Sequence, residues 1–183
     1  VVSILVGDDF LLRSYSIEDA PALFKAVDAA RAHLRPWLAW VDKTTRPEHS
    51  LQFIQQAIQQ QHNQEGMALG IFHGQDLIGA IGMHAWDHEI KKAQIGYWLA
   101  PQYEGKGILS HCLDRFVDFL FQNVGLNKIE IHFIPANKRS ASVATRLHCK
   151  VEGIIRQSAM HHGKLQDIVV AGLLKEEWVH RPQ

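Results

Sequence analysis

Apolar positions along this chain change period several times, and each change marks the edge of an element. Phe10 to Tyr15 reads as a strand, and Ser16-Ile17-Glu18-Asp19 as an N-cap leading into a helix through about Ala30. His33 to Trp40 is a short second helical piece carrying two tryptophans and Pro36. Pro47 starts a helix with Leu51, Ile54 and Ile58 at helical spacing. Its glutamine-rich face (Gln55-Gln56, Gln59-Gln60-Gln61) reads as solvated. Met67 to Phe72 and Leu77 to Ala85 form a predicted hairpin joined by His73-Gly74-Gln75-Asp76, and Lys92 to Leu99 is a further strand.

Beyond residue 105 the period returns to helical, with Leu109, Leu113, Phe116, Val117 and Leu120 on one face and Gly125 as the C′ residue. Lys128 to Ile134 is a strand halted by Pro135, and Ser140 to Leu147 a short helix. Val151 to Ala159 and Gln166 to Leu174 are the last two strands. One strand–helix–strand crossover, around residues 94–134, requires a parallel pair inside an otherwise antiparallel sheet. The expected class is α+β: a mixed, mostly antiparallel twisted sheet with one parallel, splayed pair, flanked by helices, in a single domain over residues 1–183.

The most informative segment runs from Ala93 to Leu109, a strand, a glycine-rich turn (Glu104-Gly105-Lys106-Gly107) and the start of a helix. Such a turn leaves backbone N–H groups unpaired at a helix N-terminus, where the helix dipole also favours an anion. Glycine lets a phosphate approach the backbone. An ordinary strand–helix turn with glycines for tightness fits these residues equally well. A P-loop does not fit, because Gly107 is followed by Ile108, and the dinucleotide fingerprint fails at Ser110.

The surroundings resemble the GNAT acetyltransferase superfamily, and within it the ribosomal-protein (serine/alanine) N-acetyltransferase branch. The resemblance covers nearly the whole chain. It rests on the opening Phe10 to Ala20 segment, Leu34-Arg35-Pro36-Trp37-Leu38-Ala39-Trp40, the Ile95 to Leu99 strand, Gly105-Lys106-Gly107, and Asn137-Lys138-Arg139-Ser140 as the family's Asn-x-x-Ser. Val151-Glu152-Gly153 is similar to its Glu-Gly strand start, and Leu173 to Trp178 to its closing strand.

The resemblance implies a GNAT fold with acetyl-CoA as co-substrate and no metal. Tyr97, Trp98 and Leu99 would offer backbone groups to the pantetheine arm, and Glu104, Gly105, Lys106, Gly107, Ile108 and Leu109 would wrap the pyrophosphate. Asn137 and Ser140 would face the arm. The pyrophosphate motif departs from the family at both ends, with Glu104 for Gln/Arg and Leu109 for Gly/Ala. Glu104 brings a carboxylate toward phosphates unless it points to solvent, and Lys106 is either a counter-charge or an exposed helix-start lysine.

Transfer from a thioester to an amine needs proximity, an oxyanion donor, an acceptor for the amine proton and a donor for the leaving thiolate. By resemblance Ser140 is that donor; as the first residue of a helix it is equally an N-cap. The base is harder to find. Relatives often carry Glu where this chain has Gln94, and the strand 154–160 holds no acid. His84 is the chosen candidate, with His88, Glu89, Glu130 and His132 behind it. An α-amine, with a pKa near ~7.7–8.0, can lose its proton to water, whereas a lysine near ~10.4 needs more help.

Composition narrows the partners. Lys+Arg and Asp+Glu both number 19, which gives no basic stripe for nucleic acid and no polybasic membrane anchor. Two cysteines, Cys112 and Cys149, make no disulfide framework, and no signal or membrane segment is legible, so a cytoplasmic protein is expected. His161-His162 and His148-Cys149 are adjacent pairs, not zinc spacings. The expected acceptor is a ribosomal-protein N-terminal α-amine. A small amine or antibiotic is the alternative, as is an acyl-CoA-binding sensor or interaction protein with weak catalysis. Trp37 and Trp40 cover either an acceptor pocket or a contact in a homo-oligomer.

Overall fold

The computed structural model describes residues 1–182, and its chain divides into two compact units. Residues 1–84 and 96–116 make the first, and residues 85–95 with the chain from 117 onward make the second. The hydrogen-bonded strand order is β1-β2-β3-β4-β5-β6-β8-β7, a mixed eight-stranded sheet.

In the first unit, β1 (Ser3–Val6), β2 (Phe10–Ser14), β3 (Met67–His73) and β4 (Asp76–Asp87, from which residues 85–87 pass to the second unit) form an antiparallel meander. Strand β1 has too few alternating positions to be read from sequence. Its Ile4 and Val6 are buried while Leu5 is exposed. The expected helix through Ala30 is a 3-10 turn at Ile17–Asp19 and α1 (Ala20–Ala29), and the expected piece from His33 to Trp40 is α2 (Arg31–Leu34) with a 3-10 turn at Ala39–Lys43 after it. Helix α3 spans Pro47–His62. Its buried stripe is Ser50, Ile54 and Ala57, so Ile58, expected on the apolar face, stands 43% exposed. The small residues at 50 and 57 set the line of contact instead.

Tyr15, Leu23, Val27, Leu34, Val41, Ile54, Phe72 and Trp98 belong to one core. At its edge Asp19 accepts the Ser16 N–H at 2.8 Å and takes both terminal nitrogens of Arg13, at 2.7 and 2.8 Å. The Arg13 guanidinium also lies 3.9 Å over the Phe72 ring. This fork joins the end of β2 to the start of the helices.

In the second unit, β5 (Lys92–Leu99, whose last four residues belong to the first unit) runs parallel to β6 (Lys128–Phe133), pairing Lys92 with Lys128 and Gln94 with Glu130. Helix α4 (Ile108–Phe119, whose residues up to Phe116 belong to the first unit) leads into a wider π turn at Leu120–Val124, and Gly125 closes it at φ 83°. Only glycine takes that angle without cost. Helix α5 covers Lys138–Arg146. Strand β8 (Lys164–Leu174) lies between β6 and β7 (Lys150–His161), so β7 is the sheet edge. His162 (φ 47°) and Gly163 (φ 73°) make the tight turn between β7 and β8, as a two-residue hairpin loop requires. Bulges interrupt the β7 register at Val151/Gly153 and Ile155/Ala159.

The segment expected as a closing strand through Trp178 is shorter. The strand ends at Leu174, and Lys175–Val179 is a helix, α6. The Glu177 carboxylate accepts the Leu174 N–H at 3.1 Å, which favours a helix start over more strand. Trp178 is buried, with its indole N–H on Asp118 at 2.5 Å. His148 takes φ 61°, the left-handed angle expected where the helix stops without glycine.

The Arg13 hydrogen bonds hold the Asp19 carboxyl below its usual range, more than burial raises it. A depressed folded-state pKa adds stability above the unfolded value and loses it as pH falls through the folded one. Thermal melts of Asp19→Asn should therefore lie below the parent at neutral pH. The gap should shrink once the pH drops below about 4.

Candidate active site

The predicted cofactor residues from Tyr97 to Leu109, together with His84, are brought together in the first unit. Strand β5 delivers Tyr97, Trp98 and Leu99 to the end of the sheet, with Trp98 and Leu99 buried. Their position depends on Gly79 of β4. A Cβ there would stand 2.4 Å from the Trp98 carbonyl oxygen and 3.2 Å from the Leu99 Cα. Ala100 then donates its N–H to Ile78 O at 2.8 Å, and Pro101–Tyr103 forms one 3-10 turn.

The glycine turn that follows has Gly105 at φ 72° and Gly107 at φ 75°. A Cβ on Gly105 would meet nothing within 4 Å, and one on Gly107 only the tip of His111 at 3.8 Å. These glycines serve backbone angle and open space, not internal packing. His111 N–H bonds to Gly107 O at 3.1 Å and begins α4, so the turn stands at a helix N-terminus. Residues of this kind fit a pyrophosphate.

Glu104 does not point to open solvent. Its Oε1 lies 2.6 Å from Nε2 of His33 on α2, a part-buried contact. A carboxylate only accepts, so that imidazole nitrogen carries the proton. Sequence reasoning missed this contact of His33, because its partner lies 71 positions away. Lys106 is exposed, with its ammonium 5.7 Å from the centre of the Tyr103 ring. His84 is exposed on β4, and its Cε1 would lie 3.8 Å from a Cβ on Gly96, which sets the ring beside β5.

A cavity of about 570 Å³ opens in the same unit between α1, α3 and the strands. Trp98 and Ala80 give it a strand wall, and Tyr15, Trp40, Phe53 and Gln56 line other sides. Part of the glutamine face, expected as merely solvated, therefore borders this space.

The second unit holds Asn137 and Ser140. Asn137 caps α5, its Oδ1 accepting the Ser140 N–H at 3.2 Å. Ser140 is thus not the N-cap, and the helix begins two residues before it, at Lys138. Of the reserve bases, Glu130 is 6% exposed and surrounded by His132 (2.8 Å), Lys128 (3.3 Å) and Lys92 (3.4 Å). Burial pushes its carboxyl up, but the His132 hydrogen bond and the two ammonium groups outweigh this and hold it below the usual range. An anion so stabilised is a poor base. His132 is engaged by the same contact. His88 stacks on Trp86, with ring centres 4.4 Å apart, and Glu89 is exposed. Burial raises both cysteine thiols to about 12, and neither is disulfide-bonded.

The acetyltransferase (GNAT) domain family matches residues 9–150. This chain belongs to the GNAT acetyltransferases. The Bacillus subtilis (strain 168) protein YdaF, provisionally named a ribosomal N-acetyltransferase, is 28% identical over 174 residues, covering 94% of this chain and 95% of that one. The ribosomal-protein-serine acetyltransferase of Escherichia coli (strain K12) is 24% identical, over 91% of this chain and 93% of its own. Among solved structures, the ribosomal alpha-N-protein acetyltransferase RimL in complex with coenzyme A superposes with a TM-score of 0.90 at 25% identity, covering 94% and 98% of the two chains. This GNAT enzyme is accordingly an acetyl-CoA-dependent N-acetyltransferase, with no metal required. No helix among the described residues is long and apolar enough to cross a membrane.

Two substitutions test the turn. Gly107→Val forces a β-branched residue to φ 75° and fills the open space, so calorimetry should find acetyl-CoA binding abolished in a protein that still melts cooperatively. His33→Gln should weaken acetyl-CoA binding by about three- to tenfold, the scale of a part-exposed charge contact. Adding Glu104→Gln should restore most of that loss. Equal affinities across the three proteins would remove the pair from any role in binding.

Proposed function

We propose that this enzyme acetylates an N-terminal α-amine of a protein, of the ribosomal type named for its relatives. The observation that carries this reading is that, among the described residues, no uncommitted carboxylate stands at Gln94 or at its register partner. Gln94 stands where relatives often have a carboxylate, and its register partner Glu130 is locked in an ion network. An amine with a pKa near ~7.7–8.0 is substantially neutral at physiological pH and needs little help, whereas a lysine side chain near ~10.4 does need it.

In this reading the neutral amine attacks the thioester carbonyl directly. The C–N bond forms, the C–S bond breaks, and no acyl-enzyme intervenes. Backbone groups of Tyr97 to Leu99 hold the thioester, and the backbone of Gly105 to Leu109 the pyrophosphate, with Lys106 beside it. Asn137 faces the pantetheine arm, and the Ser140 hydroxyl donates a proton to the leaving thiolate. Asn137, and not Ser140, caps α5. The proton from the amine passes to water, with His84 as a weak relay.

Ser140→Ala should lower kcat while leaving the Kd for acetyl-CoA and the melting temperature near the parent. The range for general-acid help is about 10²–10⁴-fold, and the lower end suits so good a leaving group. Asn137→Ala should instead cost ~1 kcal/mol of stability, read from denaturant melts.

The pH profile of kcat/KM should rise with one apparent pKa that follows the acceptor. N-terminal peptides of two different amine pKa values, compared with polyamines by thiol release from acetyl-CoA, give the measurement. His84→Ala should cost roughly tenfold or less, below the range of an essential base. An inflection fixed near pH 6.5 for both peptides would assign the proton to an enzyme group and end the water-relay account.

A further inference from the structure

We infer that the cavity beside β5 is the acceptor pocket, and that it selects an acceptor that carries, beside its α-amine, a flat aromatic group and negative charge, rather than a polyamine. This rests on the N-acetyltransferase reading and names the acceptor class. Three properties of the wall carry it.

The first is shape. Four aromatic residues line the cavity: Tyr15, Trp40, Phe53 and Trp98. Tyr15 and Phe53 meet edge to face, with centres 6.0 Å apart at 76°, and so present both a face and a rim. Ring walls of this kind favour a flat guest. About 570 Å³ is the size of a small-molecule site, with room for a ring beyond the amine itself.

The second is a pair of unmet hydroxyls. Tyr15 and Ser50 both line the cavity, and their hydroxyl oxygens are buried in its wall with no hydrogen-bond partner among the described residues. Leaving such groups unpaired is costly, so a polar guest that reaches them gains a bond that the folded chain does not supply. Burial pushes the phenol of Tyr15 far above its ordinary value, which keeps it a neutral donor. An alkyl guest would leave both hydroxyls unpaired.

The third is charge. No carboxylate lines the cavity, and its one ammonium is Lys43, which makes no ion pair among the described residues. The neighbouring acid, Asp42, is taken by Arg35 at 2.7 Å. Arg31 donates to the carbonyls of Val41 and Thr44, which fixes the turn that carries Lys43. A polycation would meet like charge here with nothing to neutralise it, whereas an acidic group gains a charge-assisted bond.

Calorimetry on the intact chain with 4-hydroxyphenylacetate, tyramine and spermidine tests this. The first two probes share a ring and differ in the sign of their charge. The acid should bind about tenfold or more tightly than tyramine, a difference of about 1.4 kcal/mol, and spermidine should not bind. Lys43→Gln should bring the acid-to-amine ratio near one, while Tyr15→Phe and Ser50→Ala should weaken both ring probes and keep the ratio.

Tyramine or spermidine binding as tightly as the acid, an unchanged ratio in Lys43→Gln, or no binding of the acid at millimolar concentration overturns the inference. Acetyl-CoA binding, read in the same samples, confirms that each variant is folded. Acid binding intact with no acetyl transfer to any α-amine would reject the proposed function while leaving the chemistry of this pocket standing.

Discussion

Much of the first unit depends on a close approach between two strands. With no side chain at Gly79, β4 lets the Trp98 carbonyl come to a distance that any Cβ would forbid. That contact fixes the end of β5, and the chain beyond it has a short path: a hydrogen bond from Ala100, one 3-10 turn, two left-handed glycines and then α4. One side chain of the same strand end, Trp98, is also a wall of the aromatic cavity. The turn suited to phosphates and the space suited to an acceptor therefore inherit their positions from one backbone contact. A side chain at residue 79 would disturb both at once.

Three carboxylates of this chain are already committed to cationic or imidazole partners. Glu104 is tied to His33, Asp42 to Arg35, and Glu130 to two lysines and a histidine. Each commitment lowers the availability of a base or an anion where one would otherwise act. The chain has equal numbers of acidic and basic residues, so the local arrangement, not net charge, decides what each site attracts.

The order of elements was legible because period and turn residues agree with the final packing over most of the length. The crossover around α4 and the Gly105-Lys106-Gly107 turn both followed from local rules. What stayed hidden was tertiary. The His33–Glu104 contact joins distant segments, and Ile58 lost its buried place because Ser50 and Ala57 let α3 sit differently. The resemblance carries a closing strand through Trp178, yet the strand stops at Leu174, where the apolar pattern ends it, and the Glu177 carboxylate caps a helix there. The cap of α5 shifted for a similar reason, since the Asn137 side chain reaches the Ser140 N–H three residues on.

The two bulges of β7 bear on how the protein behaves among its own copies. This strand is the sheet's edge, and Val151, Ile154, Ile155 and Met160 on it are all at least half exposed. A regular edge of that composition would be a template for another strand, and so for aggregation. Interrupting the register at Val151/Gly153 and again at Ile155/Ala159 denies an incoming chain a long uninterrupted ladder. Glu152 and Arg156 add charges along the same stretch. The irregularity keeps an oily edge from propagating, and straightening it would trade solubility for order.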